Sequence, residues 1–300
     1  MYQAFYGLSR APFALNHDPA FVFDTERQTQ ARRHVEDGLS SGRPLTLLLG
    51  HPGLGKTTIL RTALESERCR ELECLYLPNP TAHGVPFAET LLAELQPGTT
   101  PIAPPGLRLQ ALHALLMDRR SRGIRSGLVI DESESLSDEA LADVSTLIAM
   151  QSDKSQVLPV VLAGLPALRS RLDRSPMRQW VAAAPSLDLA PLDLSQTASY
   201  ILWRARAAGA AGGTLFTREA VALIHQYAAG VPRTISVICD NTLLTGSWLK
   251  QKPVTRQVVA DVCSRLDLAV ESSTAAAGRS PTDEGRRTKN EGRRRSRNVG

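Results

Sequence analysis

The sequence lacks any long uninterrupted hydrophobic run, although 42% of its 300 residues are hydrophobic. A membrane-spanning helix needs roughly 18 or more consecutive apolar residues, whereas the longest runs here, at 45–49 and 157–163, are short and contain Thr46 or Pro159. Such runs are typical of buried strands. No basic segment followed by an apolar core opens the chain, so no secretion leader is expected. These absences predict a soluble, cytoplasmic protein with one large domain or two smaller ones.

Cysteine is also scarce. The four cysteines form no C-x-x-C pair and have no histidine at the spacing of a metal site; they are Cys69, Cys74, Cys239 and Cys263. Sparse cysteines in a cytoplasmic chain are usually packing residues. The sequence therefore gives no support for a zinc site or a disulfide framework.

Positive charge is in slight excess, with a formal net charge of +5. Residues 271–300 hold eight arginines and lysines against four acids, so the excess lies mostly at the end of the chain. The high isoelectric point therefore describes a tail rather than a basic folded surface.

Four regions follow one another along the chain. Residues 1–43 are rich in aromatic residues and are expected to pack on the core. Residues 44–193 alternate short apolar runs with helical patterns, which predicts an α/β domain with a parallel sheet. Residues 194–268 contain consecutive helical patterns and predict a small all-α module. Residues 269–300 have hardly any large apolar residue and are expected to be a disordered basic tail.

The individual elements can be predicted from the same periodicity. The predicted strands are 45–49, 73–77, 127–130 and 157–163. The predicted helices of the α/β region are 56–66, 86–95, 108–122 and 137–150. The helices of the α module are predicted at 195–208, 217–228, 232–249 and 255–266, with Ser195, Thr217, Pro232 and Thr255 as their start signals.

A phosphate-binding loop follows the first predicted strand. Its eight residues fit the pattern G-x-x-x-x-G-K-[ST] and open a predicted helix; they are Gly50, His51, Pro52, Gly53, Leu54, Gly55, Lys56 and Thr57. Backbone N–H groups of such a loop cradle phosphate oxygens, and the helix dipole adds positive potential. Lys56 is expected to reach the β- and γ-phosphates, Thr57 to ligate Mg²⁺ and Thr58 to touch the α-phosphate. The loop predicts ATP with Mg²⁺ as the cofactor.

Two acids, Asp131 and Glu132, end a later apolar strand. The carboxyl ends of parallel strands form the edge where open α/β sheets bind ligands. Asp131 is therefore expected to hold Mg²⁺, and Glu132 to orient or deprotonate the attacking water. The acid pair favours hydrolysis over binding alone.

Two further positions concern contacts with the γ-phosphate of the nucleotide. Many ATPases place a polar residue that senses the γ-phosphate after the next strand, where Leu165 stands here. Arg233, in the first turn of a helix of the α module, is expected to swing onto the γ-phosphate when the module closes.

The order of these features resembles one known family over residues 1–268. The matching pieces, besides the phosphate loop and the acid pair, are the aromatic opening with Tyr2, Phe5, Tyr6, Phe13, Phe21 and Phe23, the Leu162–Leu172 segment, Leu215-Phe216-Thr217 and Gly230-Val231-Pro232-Arg233. This pattern is similar to the AAA+ ATPases of the general secretion pathway A (ExeA-like) group, which also contains transposition helper ATPases. The resemblance implies a P-loop AAA+ sheet domain with a helical lid, ATP hydrolysis and self-association. It also implies that Arg233 is the lid arginine, often called sensor 2.

Three departures from the family concern catalysis. The family usually has Gln at position 165, arginines within a segment matching 180–189, and Ala-Gln after the acid pair, where Ser133-Glu134 stands. An arginine donated by a neighbouring subunit can raise the rate by ~10³–10⁵. Arg171, Arg174 and Arg178 are the substitutes that the sequence offers. We therefore expect ATP binding, with hydrolysis that is slow.

Three functional interpretations stay open at this point. The first is an ATPase that serves secretion or cell-envelope export through a protein partner. The second is a DNA-associated transposition helper, with a transposase as partner and the arginine-rich stretch 286–297 contacting DNA phosphates. The third is a nucleotide-dependent scaffold with little turnover.

Overall fold

A computed structural model of the chain describes residues 2–15, 18–80, 86–96, 104–150, 158–210 and 214–268. The predicted disordered tail, 269–300, and the first residue of the predicted strand 157–163 lie outside the described residues.

A five-stranded parallel sheet forms the centre of the described α/β part, in the order β2-β3-β4-β1-β5. The strands are β1 (Leu45–Leu49), β2 (Leu72–Leu77), β3 (Arg125–Ile130), β4 (Val160–Gly164) and β5 (Ser186–Asp188). Every residue of β1 is buried because helices cover both faces of a parallel sheet. The strand order places the end of β1 beside the ends of β4 and β5, with β3 next to β4.

A short helix, α1 (Gln3–Tyr6), lies in the N-terminal segment. The helices of the α/β part are α2 (Glu26–Ser40), α3 (Lys56–Leu64), α4 (Phe87–Leu95), α5 (Arg108–Ser121), α6 (Asp138–Ala149), α7 (Ala167–Leu172) and α8 (Arg178–Val181). The entry to α2 is fixed by a capping box, in which Thr25 and Gln28 satisfy each other's backbone N–H groups.

Four consecutive helices form the module that follows the sheet. They are α9 (Leu194–Ala207), α10 (Arg218–Ala228), α11 (Pro232–Trp248) and α12 (Arg256–Arg265). Thr217 caps α10 through its side chain, and Pro232 stands in the first turn of α11. The predicted start of α9 at Ser195 is wrong: Asp193 caps this helix and forms a capping box with Gln196. The carboxylate two residues earlier accepts the exposed N–H of the first turn, so Ser195 lies within the helix.

The parallel α/β architecture and the helical module predicted from the sequence are confirmed, and most predicted ends lie within two residues of the observed ones. The short strand β5 and helices α7 and α8 were not predicted. These elements are too short to show a hydrophobic period. The position of β5 in the sheet is set by its pairing with β1.

The aromatic N-terminal segment packs on the helical module rather than on the sheet. Tyr2, Tyr6, Phe13 and Phe21 are buried in one cluster with residues of α9 to α12. Arg204 of α9, itself buried, donates hydrogen bonds to the carbonyl groups of Pro12 and Ala14. The segment therefore belongs structurally to the helical module, while α2 covers the sheet through Ala31, Val35 and Leu39.

No helix of the described residues is long and apolar enough to cross a membrane. The four cysteines are all free, and Cys239 and Cys263 are buried in the helical module.

Candidate functional site

The loop between β1 and α3 has the backbone of a phosphate nest. Gly53 and Gly55 adopt φ values of 81° and 97°, a left-handed region that glycine enters without steric cost. Gly50 donates a hydrogen bond from its N–H to the carbonyl of Gly164, 3.0 Å away, which fixes the loop to the end of β4. His51 and Pro52 are exposed at its outer side, and Leu54 is buried beneath it.

Lys56 is held inside this loop and is 9% exposed. Its Nζ donates to the carbonyl of Gly50 at 2.7 Å and to that of His51 at 3.3 Å. Burial lowers the pKa of Lys56, and the carboxylates of Glu134, Asp131 and Glu132 oppose that shift in that order. The lysine is a charged donor that faces the acids at the sheet edge.

Thr57 and Asp131 form the best-defined polar pair of the site. The Thr57 hydroxyl donates to Asp131 Oδ2 at 2.5 Å, although the two residues are 74 positions apart in sequence. Asp131 is 2% exposed; it also accepts from the Tyr76 hydroxyl at 3.4 Å and from the N–H of Glu132 at 2.9 Å. A hydroxyl and a carboxylate beside a phosphate nest are the oxygen ligands that Mg²⁺ prefers.

The two further acids of the turn after β3 face different ways. Glu132 adopts a φ of 49° and its side chain is exposed. A turn at Ser133–Ser135 then brings the half-buried side chain of Glu134 to the end of β4. There, Glu134 Oε2 accepts a hydrogen bond from the N–H of Leu165 at 3.2 Å.

The helical module contacts the phosphate loop at the start of α11. The N–H of Arg233 donates to the carbonyl of Gly53 at 3.3 Å. A Cβ on Gly53 would lie 2.9 Å from Val231 Cγ1 and from Arg233 Cβ, so only glycine allows this approach. The side chain of Arg233 is exposed at the same place. The module therefore covers one side of the loop, as a lid does.

Gly230 sets the position of that contact. It adopts a φ of 72°, and the Leu192 N–H donates to its carbonyl at 2.9 Å. A Cβ at this position would lie 2.1 Å from the Leu192 carbonyl oxygen. The close approach joins the entry of α9 to the entry of α11.

The three arginines that the sequence offers as substitutes differ in their surroundings. Arg171 donates to the carbonyls of Glu134 and Leu136, at 2.9 Å and 2.6 Å, and to Asp138 Oδ1 at 2.7 Å. It therefore holds the turn after β3 within its own chain. Arg174 and Arg178 are exposed.

A cavity of about 300 Å³ adjoins the phosphate loop and was not anticipated from the sequence. It lies between the start of α2, the exit of β5, Leu54 and the lid, and its lining includes Arg27, Gln28, Leu189, Gln196 and Pro232. A smaller cavity of about 100 Å³, lined by Phe21, Phe23, Gly55 and Thr58 among others, borders it. The sequence offers no local pattern for these cavities, because their walls come from four separate segments. A larger cavity, of about 810 Å³, lies in the lid between α9 and α10 and includes none of the phosphate-loop residues.

Comparison with known proteins agrees with this geometry. A family model described as an AAA domain matches residues 38–172. The general secretion pathway protein A of Aeromonas hydrophila is 30% identical over 245 residues, which make up 81% of this chain and 44% of that protein. Residues 38–172 form an AAA domain, and the chain resembles the ExeA-like group of AAA+ proteins. This AAA+ protein spans less than half the length of that relative.

Solved structures show the same fold at lower identity. The ORC2 protein of Aeropyrum pernix matches with a TM-score of 0.63 at 17% identity, over 85% of this chain and 71% of that one. Cdc6p of Pyrobaculum aerophilum matches with a TM-score of 0.62 at 20% identity, over 88% of this chain and 70% of that one. These likenesses identify the P-loop AAA+ fold.

Proposed function

We propose that this AAA+ protein binds Mg·ATP between its sheet and its lid and hydrolyses it slowly. The observation that carries the proposal is the Thr57–Asp131 pair, 2.5 Å apart at the mouth of the phosphate loop. A threonine hydroxyl hydrogen-bonded to the carboxylate that ends a neighbouring strand forms the oxygen pair that a nucleotide-bound Mg²⁺ needs.

The residues present fit this cofactor. Gly53 and Gly55 adopt left-handed conformations, as in loops whose backbone N–H groups bind phosphate oxygens. Lys56 would exchange its two carbonyl partners for phosphate oxygens, and Thr57 and Asp131 would hold the cation. Bound Mg²⁺ would neutralise negative charge on the phosphate oxygens. The 300 Å³ cavity above Leu54 is the place for the base and ribose.

Glu132 and Arg233 act at the phosphate end. Glu132 is exposed at the carboxyl edge of the sheet, where a carboxylate orients the attacking water and accepts its proton. Arg233 is fixed by its backbone to the phosphate loop while its guanidinium stays exposed, so it is placed to reach the terminal phosphate from the lid.

Turnover should be slow at low protein concentration, because the site then lacks an arginine from a second copy. Arg171 is occupied by three acceptors of its own chain, so it does not serve a neighbouring subunit in this conformation. We propose that the protein self-associates and that Arg174 or Arg178 completes the site of a second copy. Light scattering with and without ATP, and phosphate release by Arg174→Ala and Arg178→Ala over a range of protein concentrations, test this.

Phosphate release by the wild type, Lys56→Ala and Glu132→Gln tests the main proposal. Lys56→Ala should weaken binding of a fluorescent ATP analogue at least about tenfold, because it removes a charged donor to phosphate. Glu132→Gln should keep binding and lower turnover by about 10²-fold. Lys250→Ala is the matched control; Lys250 is exposed and follows the far end of α11, about 25 Å along the helix from Pro232. Equal negligible rates for wild type and Glu132→Gln, with ATP still bound, would support a nucleotide-dependent scaffold instead.

The process that the ATPase drives belongs to the same proposal. The likeness to a general secretion pathway protein favours a secretion or cell-envelope protein as partner. A cytoplasmic location for this part of the chain is part of the same proposal. The arginine-rich stretch 286–297 favours a second candidate, a DNA-associated helper working with a transposase. Filter binding to duplex DNA at rising salt, with and without residues 269–300, distinguishes the two. DNA affinity that is unchanged by the deletion refutes the role of the tail.

A further inference from the structure

The phosphate end of the site holds a carboxylate that the proposed mechanism does not use. Glu134 lies at the junction of β3 and β4, whose carboxyl ends are neighbours because Ile130 pairs with Leu162. Its Oε2 accepts the N–H of Leu165 at 3.2 Å. A Cβ on Gly164 would lie only 2.6 Å from that same oxygen, so the carboxylate rests directly on the glycine.

The backbone of Glu134 is held by a hydrogen bond, whereas its carboxylate forms no ion pair with the neighbouring Arg171. Arg171 donates to the carbonyl oxygen of Glu134 at 2.9 Å and not to its carboxylate. The carboxylate of Asp131, by contrast, accepts from Thr57, Tyr76 and the N–H of Glu132. Among the described residues, the Glu134 carboxylate has one hydrogen-bond donor, the neutral backbone N–H of Leu165.

This carboxylate lies beside the phosphate loop. It rests on Gly164, and the carbonyl of Gly164 accepts the N–H of Gly50, the first residue of the loop, at 3.0 Å. Leu165, whose backbone N–H already serves Glu134, has no polar side chain to offer a phosphate on the β4 side. On the β4 side, a γ-phosphate bound by Lys56 would therefore lie near the Glu134 carboxylate rather than near a hydrogen-bond donor.

We propose that Glu134 sets the preference of this site between nucleotides: its fixed carboxylate weakens binding of a nucleoside triphosphate relative to the diphosphate. The inference rests on the proposed function, because it concerns the same nucleotide site. The diphosphate ends within the loop, so it is much less affected than the triphosphate, whose γ-phosphate extends toward the sheet edge. Two unit charges about 6 Å apart, at effective dielectric constants from about 80 to about 20, change an equilibrium constant by about 3-fold to 100-fold.

The test compares dissociation constants and does not depend on turnover. Glu134→Gln removes the charge while its amide oxygen can still accept the Leu165 N–H. With Mg²⁺ present, it should bind a non-hydrolysable ATP analogue about 3-fold to 100-fold more tightly than wild type. Its dissociation constant for ADP should stay within about twofold, because the diphosphate lacks the affected group. Glu139→Gln is the control, since Glu139 is exposed on the first turn of α6 and the change in charge is identical.

The outcomes separate this inference from the proposed function. An unchanged ratio of the two dissociation constants in Glu134→Gln, or weaker binding of the triphosphate, overturns the role of Glu134 even if wild type releases phosphate normally. No phosphate release by wild type, with the ratio shifted as expected, refutes hydrolysis alone. Absence of binding of either nucleotide to wild type overturns both. If circular dichroism shows that Glu134→Gln is unfolded, Glu134→Ala makes the same comparison with a smaller side chain.

Discussion

Replacing Gly230 by alanine tests how the lid is joined to the phosphate loop. The new Cβ would lie 2.1 Å from the carbonyl oxygen of Leu192, at a position with a φ of 72°. Two costs are therefore expected. An alanine in the left-handed region costs about 1–2 kcal/mol. Moving the Leu192 carbonyl away, which also strains the hydrogen bond from the Leu192 N–H to the Gly230 carbonyl, costs ~1–3 kcal/mol more.

A matched control separates these two costs. Gly7 has a φ of 71°, and a Cβ at that position would meet nothing within 4 Å. Gly7→Ala should therefore show the conformational cost alone, about 1–2 kcal/mol. Gly230→Ala should lose about 2–5 kcal/mol of the free energy of unfolding, measured by urea denaturation of the nucleotide-free protein.

Nucleotide binding adds a second measurement. Gly230 precedes the turn that carries the Arg233 N–H to the Gly53 carbonyl, so Gly230→Ala should also weaken binding of a fluorescent ATP analogue. Gly7→Ala should not change it, since Gly7 lies in the N-terminal segment after α1. Equal losses of stability in the two variants, with equal binding, would refute the view that the contact with Leu192 is rigid and positions the lid.

Three further results are expected. Arg204→Met should lose about 2–3 kcal/mol of the free energy of unfolding in urea, because it leaves the buried Pro12 carbonyl and the half-buried Ala14 carbonyl without their donor. The exposed Arg206→Met should stay within about 0.5 kcal/mol, and equal losses would contradict a stabilising role for the Arg204 hydrogen bonds. Burial lowers the pKa of His34, whose Nε2 bonds the Leu47 carbonyl at 3.0 Å. Folding therefore favours the neutral imidazole. The contribution of His34 to stability is full above its unfolded pKa of about 6.5 and declines as the pH falls below that value. From pH 7.5 to pH 5.5, the urea midpoint should therefore fall more in wild type than in His34→Gln. An equal fall in the two proteins would refute this. Removing Mg²⁺ with EDTA should weaken ATP binding by at least about tenfold, measured by fluorescence titration, and an unchanged affinity would argue against the Thr57–Asp131 pair as the cation site.

The parts of the site that are local in sequence were predictable. The pattern Gly50 to Thr57 requires a strand before it and a helix after it, and both are present as β1 and α3. The acids Asp131 and Glu132 end an apolar run, so their place at the carboxyl edge of the sheet followed from strand direction alone.

The parts built from distant segments were not predictable. The packing of Tyr2 and Phe21 on the lid depends on contacts with helices about 200 residues later, which no local period encodes. The wall of the 300 Å³ cavity is likewise shared by α2, the loop after β5 and the lid. Ser195 was a plausible cap in sequence, but Asp193 stands where the first turn begins, and its carboxylate binds the free N–H.

Sequence by itself thus determined the chemistry available to this AAA+ protein: a phosphate nest, a lysine, a threonine, an acid pair and a lid arginine, in an order that requires a parallel sheet. Tertiary structure decided which of these groups meet. It paired Thr57 with Asp131 across 74 residues, tied Arg171 to the turn after β3, and brought the Glu134 carboxylate onto Gly164 at the end of β4. The reason is physical: spacing along the chain sets the periodicity of an element, whereas the distance between two side chains from separate elements is set by strand order and packing.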